Sequence, residues 1–394
     1  MIPMKNVNWL IGSETIDTSP LTAYSDEAIA FITDLSGRIM KSPVTRMFPD
    51  VAALGFWGRK GNLAKMKENC PEAGIRLGRG LCFHVAPSNI PMSFAFSYLF
   101  GLLAGCANIV RLPSKPYAQT EASLKIIGET LEDHPAVARR TAFIRYPADN
   151  EITAEFSMMA DVRMIWGGDK TVNNIRSLPI RPKCIDIAFA DRYSFCIIDG
   201  KAVQEAADDR IVRLAEDFYN DTYLMDQNAC SSPQIICWRN DSTEGRERFW
   251  NAVFDVARRK YDLQAAVCVD KYTQSCEDSV NRFDNISAIT RKTNLLYRAE
   301  VKELVSGIDE YRGKGGYFYE HSLKTLDEII PVVTEKYQTI TYFGIDPEEI
   351  RGTVVAGHLS GIDRITPIGK AMDIGVIWDG YDLIRMLSRI VNVE

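Results

Sequence analysis

Cys230 is the residue whose surroundings best suit a nucleophile. It lies in the polar segment 227–233, which leads into an apolar, strand-like run. A nucleophilic thiol needs solvent access and stabilisation of its thiolate, commonly by backbone N–H groups or a nearby cation. Four other cysteines lie inside apolar strand-like runs, where cysteine behaves as a small buried hydrophobe: Cys82, Cys184, Cys196 and Cys237. Cys230 is therefore our candidate nucleophile, and an ordinary loop cysteine is the alternative.

A second set of candidates lies where strands of a predicted sheet end. Asn89 follows one strand and precedes a helix, where its amide could cap that helix or donate to a developing oxyanion. Gly167 and Gly168 follow another strand and open a helix, so backbone N–H groups there could meet a phosphate. Arg111 and Lys115 flank a Pro-Ser turn and could pair with a ribose phosphate, with a solvated charged surface as the alternative.

Two other features indicate no chemistry. Residues 313–316 (GKGG) resemble a phosphate-binding loop only superficially, because that loop needs Gly-Lys followed by Ser or Thr, and we interpret them as a flexible turn. The four histidines include no pair with the spacing of metal ligands, and His84 is interpreted as a packed core residue. We therefore expect no metal site.

The elements that must position these residues alternate between strands and helices. The predicted strands are 81–85, 109–112, 141–146, 162–166 and 184–189, with helices between them. This alternation predicts βαβ units and a parallel, doubly wound α/β sheet. Ligands bind such sheets at the carboxyl ends of the strands, where the loops 87–89, 113–115 and 167–169 lie.

The length of 394 residues fits two or three domains. Residues 1–75 are predicted to be helical and to cover one face of the sheet, with Ser25 as a helix cap. Residues 76–192 form the first α/β lobe and residues 193–359 the second, which carries Cys230. Residues 360–394 are expected to return across the domain interface.

Composition excludes several classes of protein. The 46 Lys and Arg against 52 Asp and Glu give a net charge of −6, which argues against a nucleic-acid or anionic-membrane partner. The uncharged segment 89–110 is long enough to span a bilayer, but the asparagines near its ends and its small-residue stripe favour a helix of a soluble protein. Nine cysteines without a CxxC pair favour a reducing compartment over a disulfide framework. We therefore expect a cytoplasmic protein without a membrane span.

Several motifs spread over most of the chain point to one family. They are FWGRK at 56–60, GLCFHVAPSNIP at 80–91, FGLLAG at 100–105, NIVRLPSK at 108–115, ACSSPQ at 229–234 and IWDGYDLIR at 377–385. Together they resemble the long-chain acyl-CoA reductases of bacterial luminescence, a divergent branch of the aldehyde dehydrogenase superfamily. The resemblance implies an aldehyde dehydrogenase-like fold, with a Rossmann-type dinucleotide-binding domain at residues 76–192 and an α/β catalytic domain at residues 193–359.

The resemblance also implies roles for individual residues. Cys230 matches the nucleophile that becomes S-acylated, and Asn89 matches the amide that stabilises the oxyanion. Gly167 and Gly168 fall at the turn beside the cofactor pyrophosphate, and Glu335 is placed like the glutamate that holds the nicotinamide ribose. The residues implied in cofactor binding are Pro87, Ser88, Arg111, Ser114, Lys115, Gly167, Gly168 and Glu335.

This sequence departs from the superfamily at two important positions. The glutamate that activates water is replaced by Asp186, and the two glycines that follow it are absent. Hydrolysis of an acyl-enzyme would then lack its usual base, which suits a reductase. The lysine that binds the adenosine ribose falls on Pro113, so Arg111 or Lys115 must substitute for it. A cation there favours NADPH over NADH, because it could accept a 2′-phosphate.

The resemblance thus implies an oxidoreductase that uses NADPH to reduce a fatty acyl thioester, such as acyl-CoA, to the aldehyde through S-acyl-Cys230. The reverse reaction of a CoA-acylating aldehyde dehydrogenase stays open, as does delivery of the acyl group by a partner acyl-protein synthetase or acyl carrier protein. A non-catalytic subunit that keeps the fold is the alternative outside enzymes. The chain is expected to form a homo-oligomer.

Overall fold

A computed structural model describes residues 6–394 of the chain. Over this range the chain divides into two compact units. The first contains the residues up to Ala190 together with Ile374–Glu394, and the second is Asp191–Asp373. Each unit is built around its own β-sheet.

The first unit begins with one strand and four helices, and strands and helices alternate from Leu81 onward. Its strands are β1 (Asn8–Ile11), β2 (Arg76–Gly78), β3 (Leu81–Val85), β4 (Ala107–Arg111), β5 (Thr141–Arg145), β6 (Val162–Trp166) and β7 (Ile185–Phe189). Its helices are α1 (Asp26–Lys41), α2 (Val44–Met47), α3 (Pro49–Trp57), α4 (Lys60–Glu68), α5 (Ser93–Leu103), α6 (Ala118–Glu132), α7 (Pro135–Ala138), α8 (Asn150–Met159) and α9 (Asp169–Arg176).

The main sheet of the first unit has the strand order β1-β5-β4-β3-β6-β7. Strands β3 to β7 are parallel, and β1 pairs antiparallel with β5 at one edge. The chain runs outward from β3 through β4 to β5, and then crosses to the other side of β3 to form β6 and β7. The order of the strands therefore reverses between β3 and β6, the point at which doubly wound sheets bind their ligands.

Both faces of this sheet are covered by apolar residues. Leu81, Phe83 and Val85 of β3 lie in one buried cluster, whereas Cys82 between them lies in another. This alternation follows from the two-residue repeat of a strand, and burial on both faces explains why the strands are continuous apolar runs. The predicted parallel α/β sheet is thus present.

The uncharged segment that could have spanned a bilayer forms α5 and β4 instead. Every residue of α5 is buried, and the helix is 11 residues long. Its apolar character therefore reflects burial within the first unit. No helix within residues 6–394 is both long and apolar enough to cross a membrane.

The amino-terminal region differs from the prediction in one respect. Helix α1 begins as expected, because the Ser25 hydroxyl accepts a hydrogen bond from the Ala28 backbone N–H at 3.3 Å. Strand β1, however, was expected to be helical. It is four residues long and lies at the sheet edge, so its order depends on pairing with β5, which comes much later in the sequence.

The second unit is described throughout residues 191–373. Its strands are β8 (Tyr193–Asp199), β9 (Pro233–Arg239), β10 (Ile286–Lys292), β11 (Leu296–Val301), β12 (Tyr317–Ser322), β13 (Tyr337–Phe343) and β14 (Arg364–Pro367). Its helices are α10 (Gly200–Glu205), α11 (Asp208–Asp221), α12 (Thr243–Lys260), α13 (Ala265–Asn281) and α14 (Pro347–Ala356). The sheet order is β10-β11-β12-β9-β8-β13-β14, and only the β10–β11 pair is antiparallel.

The second unit continues past residue 359, where the sequence had placed its end. Strand β14 pairs with β13, and the carboxylate of Asp221 accepts hydrogen bonds from the backbone N–H groups of Gly369 (2.6 Å) and Ala371 (3.0 Å). These contacts hold residues 360–373 in the second unit. Residues 374–394 belong to the first unit, where they form β15 (Ile377–Trp378), β16 (Tyr381–Asp382), α15 (Leu383–Leu387) and β17 (Ser388–Ile390), which pairs with β2.

Candidate active site

Asn89 lies on an exposed loop between β3 and α5. Met92, not Asn89, occupies the position before the first residue of the helix, so the helix-capping interpretation of Asn89 was wrong. The Asn89 side chain is exposed and makes no hydrogen bond to any other group in residues 6–394. Its amide therefore has both N–H donors available for a ligand.

The loop that carries Pro87, Ser88 and Asn89 is tied to the loop that follows β4. The Tyr117 hydroxyl donates to the Ser88 carbonyl at 2.6 Å, and the Thr120 hydroxyl donates to the Pro91 carbonyl at 3.0 Å. The structure thus brings the candidates of both loops to the same edge of the sheet.

Arg111 ends β4 with its guanidinium over the ring of Tyr146, 4.6 Å from the ring centroid. Its Nε is buried and has no hydrogen-bond partner among the residues that the structure describes. Arg111 as a whole is partly exposed and cationic, which is the character that an anion partner needs. Ser114 donates to the Tyr146 carbonyl at 3.5 Å, and the exposed Lys115 holds its ammonium 5.3 Å from the ring centroid of Tyr117.

Gly167 and Gly168 lie between β6 and α9, as predicted. A Cβ atom at Gly168 would meet nothing within 4 Å, so the space in front of this turn is open. Asp169 in the first turn of α9 is unfavourable for an anion at this helix end, whereas the neighbouring Lys170 is exposed and basic. The turn fits the approach of a dinucleotide, with Arg111 as the better anion partner.

Sequence reasoning missed Trp166, the last residue of β6. Its ring stacks on Phe189 with centroids 3.7 Å apart and an interplanar angle of 14°, and its Nε1–H donates to the Ser97 hydroxyl at 3.0 Å. The ring is partly exposed. An aromatic residue at a strand end, directly before two glycines, is the signal that could have identified it.

His84 is a packed core histidine, as predicted. Its Nδ1 lies 2.7 Å from the Ser97 hydroxyl, and its Nε2 lies 2.9 Å from Oδ1 of Asn108. Burial lowers the pKa of His84 to about 4, so the ring is neutral. The amide of Asn108 donates to the Cys106 carbonyl, which turns Oδ1 towards His84. The Nε2 of His84 therefore carries the proton, and its Nδ1 accepts from Ser97.

Asp186, which the resemblance places at the position of the water-activating glutamate, is held in an ion pair. Both of its oxygens accept hydrogen bonds at 2.7 Å from the Nε and Nη2 of Arg163. The side chain of Arg163 is 0% exposed and also donates to the Ile175 carbonyl at 2.8 Å. The paired carboxylate is poorly suited to take a proton from water.

Cys230 lies in the second unit, in the turn that enters β9, and is half-buried. The Ser194 hydroxyl of β8 donates to the Cys230 carbonyl at 2.7 Å and accepts from the Thr339 backbone N–H of β13 at 3.1 Å. The Ser232 hydroxyl donates to the Asp221 carbonyl at 2.7 Å. The backbone on both sides of the thiol is therefore fixed by neighbouring elements.

Gln227, also missed from the sequence, ties this turn to residues 313–316. Its side chain is buried, its φ is +58°, and its Oε1 accepts from the Gly316 backbone N–H at 2.9 Å. Its Nε2 donates to the Tyr317 carbonyl at 3.1 Å, and Gln234 accepts from the Gly313 backbone N–H at 2.9 Å. Residues 313–316 are thus pinned by side-chain amides, and the expected flexible turn is wrong.

Glu335 is exposed in the turn that precedes β13. Strands β9, β8 and β13 are parallel neighbours in that order, so the turns that enter β9 and β13 lie at the same sheet edge. With strands about 4.8 Å apart, the backbones that carry Cys230 and Glu335 are roughly 10 Å apart. The structure therefore places these two candidates at one edge of the second sheet.

No cluster of three or more His, Cys, Asp or Glu side chains in the described part of the chain could hold a metal ion.

The fold is that of the aldehyde dehydrogenases. One similar structure is aldehyde dehydrogenase 21 from Physcomitrella patens, solved with the reaction product succinate. The superposition covers 94% of this chain and 85% of that enzyme, with a TM-score of 0.62 and 12% sequence identity. For an acetylating aldehyde dehydrogenase from Geobacillus thermoglucosidasius, the superposition covers 94% of this chain and 90% of that enzyme, with a TM-score of 0.58 and 14% sequence identity. These similarities confirm the predicted fold.

The family model described as acyl-CoA reductase (LuxC) matches residues 55–299, which is more than half of the chain. The chain therefore belongs to the acyl-CoA reductase (LuxC) family, and the resemblance found in the sequence is confirmed. A long-chain acyl-protein thioester reductase from Vibrio harveyi is 24% identical over 325 residues, which cover 80% of this chain and 63% of the relative. This chain thus matches less than two thirds of that relative's length. All predicted site residues except Glu335 lie within residues 55–299.

Proposed function

We propose that this protein is an oxidoreductase that reduces a fatty acyl thioester, such as acyl-CoA, to the fatty aldehyde. The observation that carries the proposal is the family match over residues 55–299, which includes Cys230. The name of the Vibrio harveyi relative, a thioester reductase, supports the same class of substrate.

Cys230 is the proposed nucleophile. Its thiolate attacks the acyl carbonyl, a new carbon–sulfur bond forms, and the carbon–sulfur bond to CoA breaks, so that CoA leaves as its thiolate and the enzyme is S-acylated. The hydrogen bonds of Ser194 and Gln227 support this step, because they fix the backbone on which the thiol must be oriented.

For Asn89 we propose stabilisation of the oxyanion that forms on the acyl carbonyl. Its amide is exposed, and no group within the described range occupies its donors. Loss of one such donor typically slows the reaction by about 10²–10³-fold. The backbone N–H of Cys230 is the proposed second donor.

A nicotinamide cofactor, when bound, would supply the hydride that reduces the acyl group. The residues proposed to hold it are Pro87, Ser88, Arg111, Ser114, Lys115, Gly167, Gly168 and Glu335. The partly exposed cation of Arg111 and the exposed ammonium of Lys115 favour a 2′-phosphate, and hence NADPH over NADH. We expect a lower Kd for NADPH than for NADH in calorimetric titrations.

Labelled acyl-CoA tests the proposal directly. Without NADPH, the wild-type chain should gain one acyl group by intact mass, and added NADPH should remove that group and release the aldehyde. Cys230→Ala should gain none, whereas Cys276→Ala should behave as the wild type, because Cys276 lies on the exposed surface of α13. Asn89→Ala should stay folded and turn over slowly. An adduct on a cysteine other than Cys230 would contradict the assignment.

A protein-bound acyl donor is the second candidate, because the Vibrio harveyi relative is named for an acyl-protein thioester. Initial rates should be compared with acylated carrier protein, acyl-CoA and aldehyde as substrates. The fastest substrate would distinguish a protein-bound acyl donor from acyl-CoA and from the reverse reaction. An inert Cys230 in a chain that binds cofactor would instead support a non-catalytic subunit. We also propose a cytoplasmic homo-oligomer.

A further inference from the structure

The point in the first sheet at which the strand order reverses carries an aromatic platform. Strands β3 and β6 are neighbours in the sheet but are separated in sequence by β4 and β5. Trp166 ends β6, and the candidate loop 87–89 follows β3. The crevice outside these two strand ends is where a doubly wound sheet takes its ligand.

The indole of Trp166 is held in one orientation. Phe189 covers one face at 3.7 Å, and the edge of Tyr381 in turn meets Phe189 at 5.9 Å between centroids. Ser97 accepts from the indole N–H and donates to His84, whose other nitrogen donates to Asn108. This hydrogen-bond chain is buried from Ser97 to Asn108. Trp166 is partly exposed, Phe189 occupies one face of its indole, and these contacts hold the ring in a fixed orientation.

The two sides of β3 differ in chemistry. On the β4 side, the guanidinium of Arg111 stacks on the ring of Tyr146 and supplies a positive charge that suits a phosphate. On the β6 side, Trp166 offers a flat apolar ring, and the open turn at Gly168 follows it. Arg111 and Trp166 end strands two positions apart in the sheet, or roughly 10 Å. An extended dinucleotide can span that separation, with its phosphorylated ribose on one side and its second ring on the other.

We propose that Trp166 is the residue on which the nicotinamide ring of the cofactor stacks. This inference rests on the proposed function, since it needs a nicotinamide dinucleotide. An indole fixed by Ser97 and Phe189 loses little freedom when a second ring stacks on it, so the contact contributes to affinity and orients the ring.

Binding of two ligands by calorimetry tests the proposal without turnover. NADPH carries the nicotinamide, and 2′-phospho-ADP-ribose lacks it. Trp166→Leu should bind NADPH about 3- to 10-fold more weakly, the loss expected for one stacked aromatic pair, while its Kd for 2′-phospho-ADP-ribose stays within about twofold of the wild type. Trp166→Phe keeps a ring and should recover most of the NADPH affinity. Trp9→Leu removes another indole of the same sheet and should change neither Kd.

The outcomes separate the two proposals. Equal weakening of both ligands, or no weakening of NADPH, would overturn the role of Trp166 and leave the proposed function standing. A wild-type chain that binds no nicotinamide dinucleotide would overturn both. Thermal unfolding of each variant checks its fold. If Trp166→Leu unfolds early, Trp166→Met replaces it, because methionine fills more of the space. The same difference between the Kd values for NADPH and 2′-phospho-ADP-ribose is then expected.

Discussion

Replacement of Gln227 by alanine should loosen the turn that carries Cys230 without touching the thiol itself. The Gln227 side chain is only 2% exposed, and its amide serves the Gly316 N–H and the Tyr317 carbonyl. Alanine leaves both backbone groups without that partner. The effect should therefore appear in residues 313–317, far along the chain from the substitution.

The size of the effect follows from these two groups. A buried backbone group left without a hydrogen bond costs about 1–3 kcal/mol, so the local cost is about 2–6 kcal/mol. Even the lower value corresponds to roughly a 30-fold increase in local opening. The φ of +58° at Gln227 is equally unfavourable for alanine, so the backbone strain does not change.

Hydrogen exchange followed by mass spectrometry measures this opening. Peptides that contain residues 313–317 should exchange at least about 30-fold faster in Gln227→Ala. Gln227→Asn provides a sharper comparison, because asparagine tolerates a positive φ better than glutamine but is one methylene too short to reach Gly316. Gln264→Ala is the matched control, since the Gln264 side chain is exposed and, within the described residues, bonds only to Asp262. Turnover of the Gln227 variants should fall by about 10²-fold if the thiol is displaced by about 1 Å.

Unchanged exchange of residues 313–317 in both Gln227 variants would refute this reasoning. It would mean that water replaces the side-chain amide, or that residues 313–316 are held by other contacts. Normal exchange together with slow turnover would instead show that Gln227 acts on the thiol by another route.

Two further predictions concern the carboxylates of Asp186, which is partly buried, and Asp221, which is buried. Asp186→Ala leaves the buried Arg163 without its counter-charge and should destabilise the first unit by about 3–5 kcal/mol. The loss should be seen as thermal unfolding at a lower temperature. An unchanged unfolding temperature would show that Arg163 finds another partner. Burial raises the pKa of Asp221 from its ordinary 3.8 to about 7, so its favourable contribution to folding is complete below pH 3.8 and is lost as the pH rises through about 7. Asp221→Asn should remove this pH dependence, which amounts to up to about 4 kcal/mol in the free energy of unfolding of the second unit, measured in urea between pH 4 and 7.5. If the free energy of unfolding varies with pH as in the wild type, the raised pKa does not belong to Asp221.

The parallel strands could be predicted closely because each is a buried apolar run. Strands β3 and β6 have the predicted bounds, and the others differ by one or two residues at their ends. Because both faces of the sheet are covered, successive residues of such a strand are apolar, and this run is visible in the local sequence. Strand β1 has no comparable signal, because its four residues are ordered by pairing with β5, which lies more than a hundred residues later.

The residues of the candidate site also fall into two groups, those that a local sequence pattern indicates and those whose roles depend on distant residues. Cys230 and Gly168 were found because polar or glycine-rich segments interrupt apolar strands, which is a local pattern. Trp166 and Gln227 were missed because their roles depend on Ser97, 69 residues away, and on Gly316, 89 residues away. A hydrogen bond between such distant residues leaves no periodicity or spacing that a single sequence could display.

The ion pair of Asp186 bears on how an acyl-enzyme would be consumed. An acyl group on Cys230 can be lost to water or reduced, and a carboxylate that takes a proton from water favours the first route. Protonation of Asp186 would remove the counter-charge of the fully buried Arg163, at a cost of about 3–5 kcal/mol. That cost corresponds to about 10²–10⁴-fold in rate. If Asp186 holds the position of the superfamily's water-activating glutamate, as the resemblance implies, its pairing with Arg163 works against hydrolysis of the proposed acyl-enzyme.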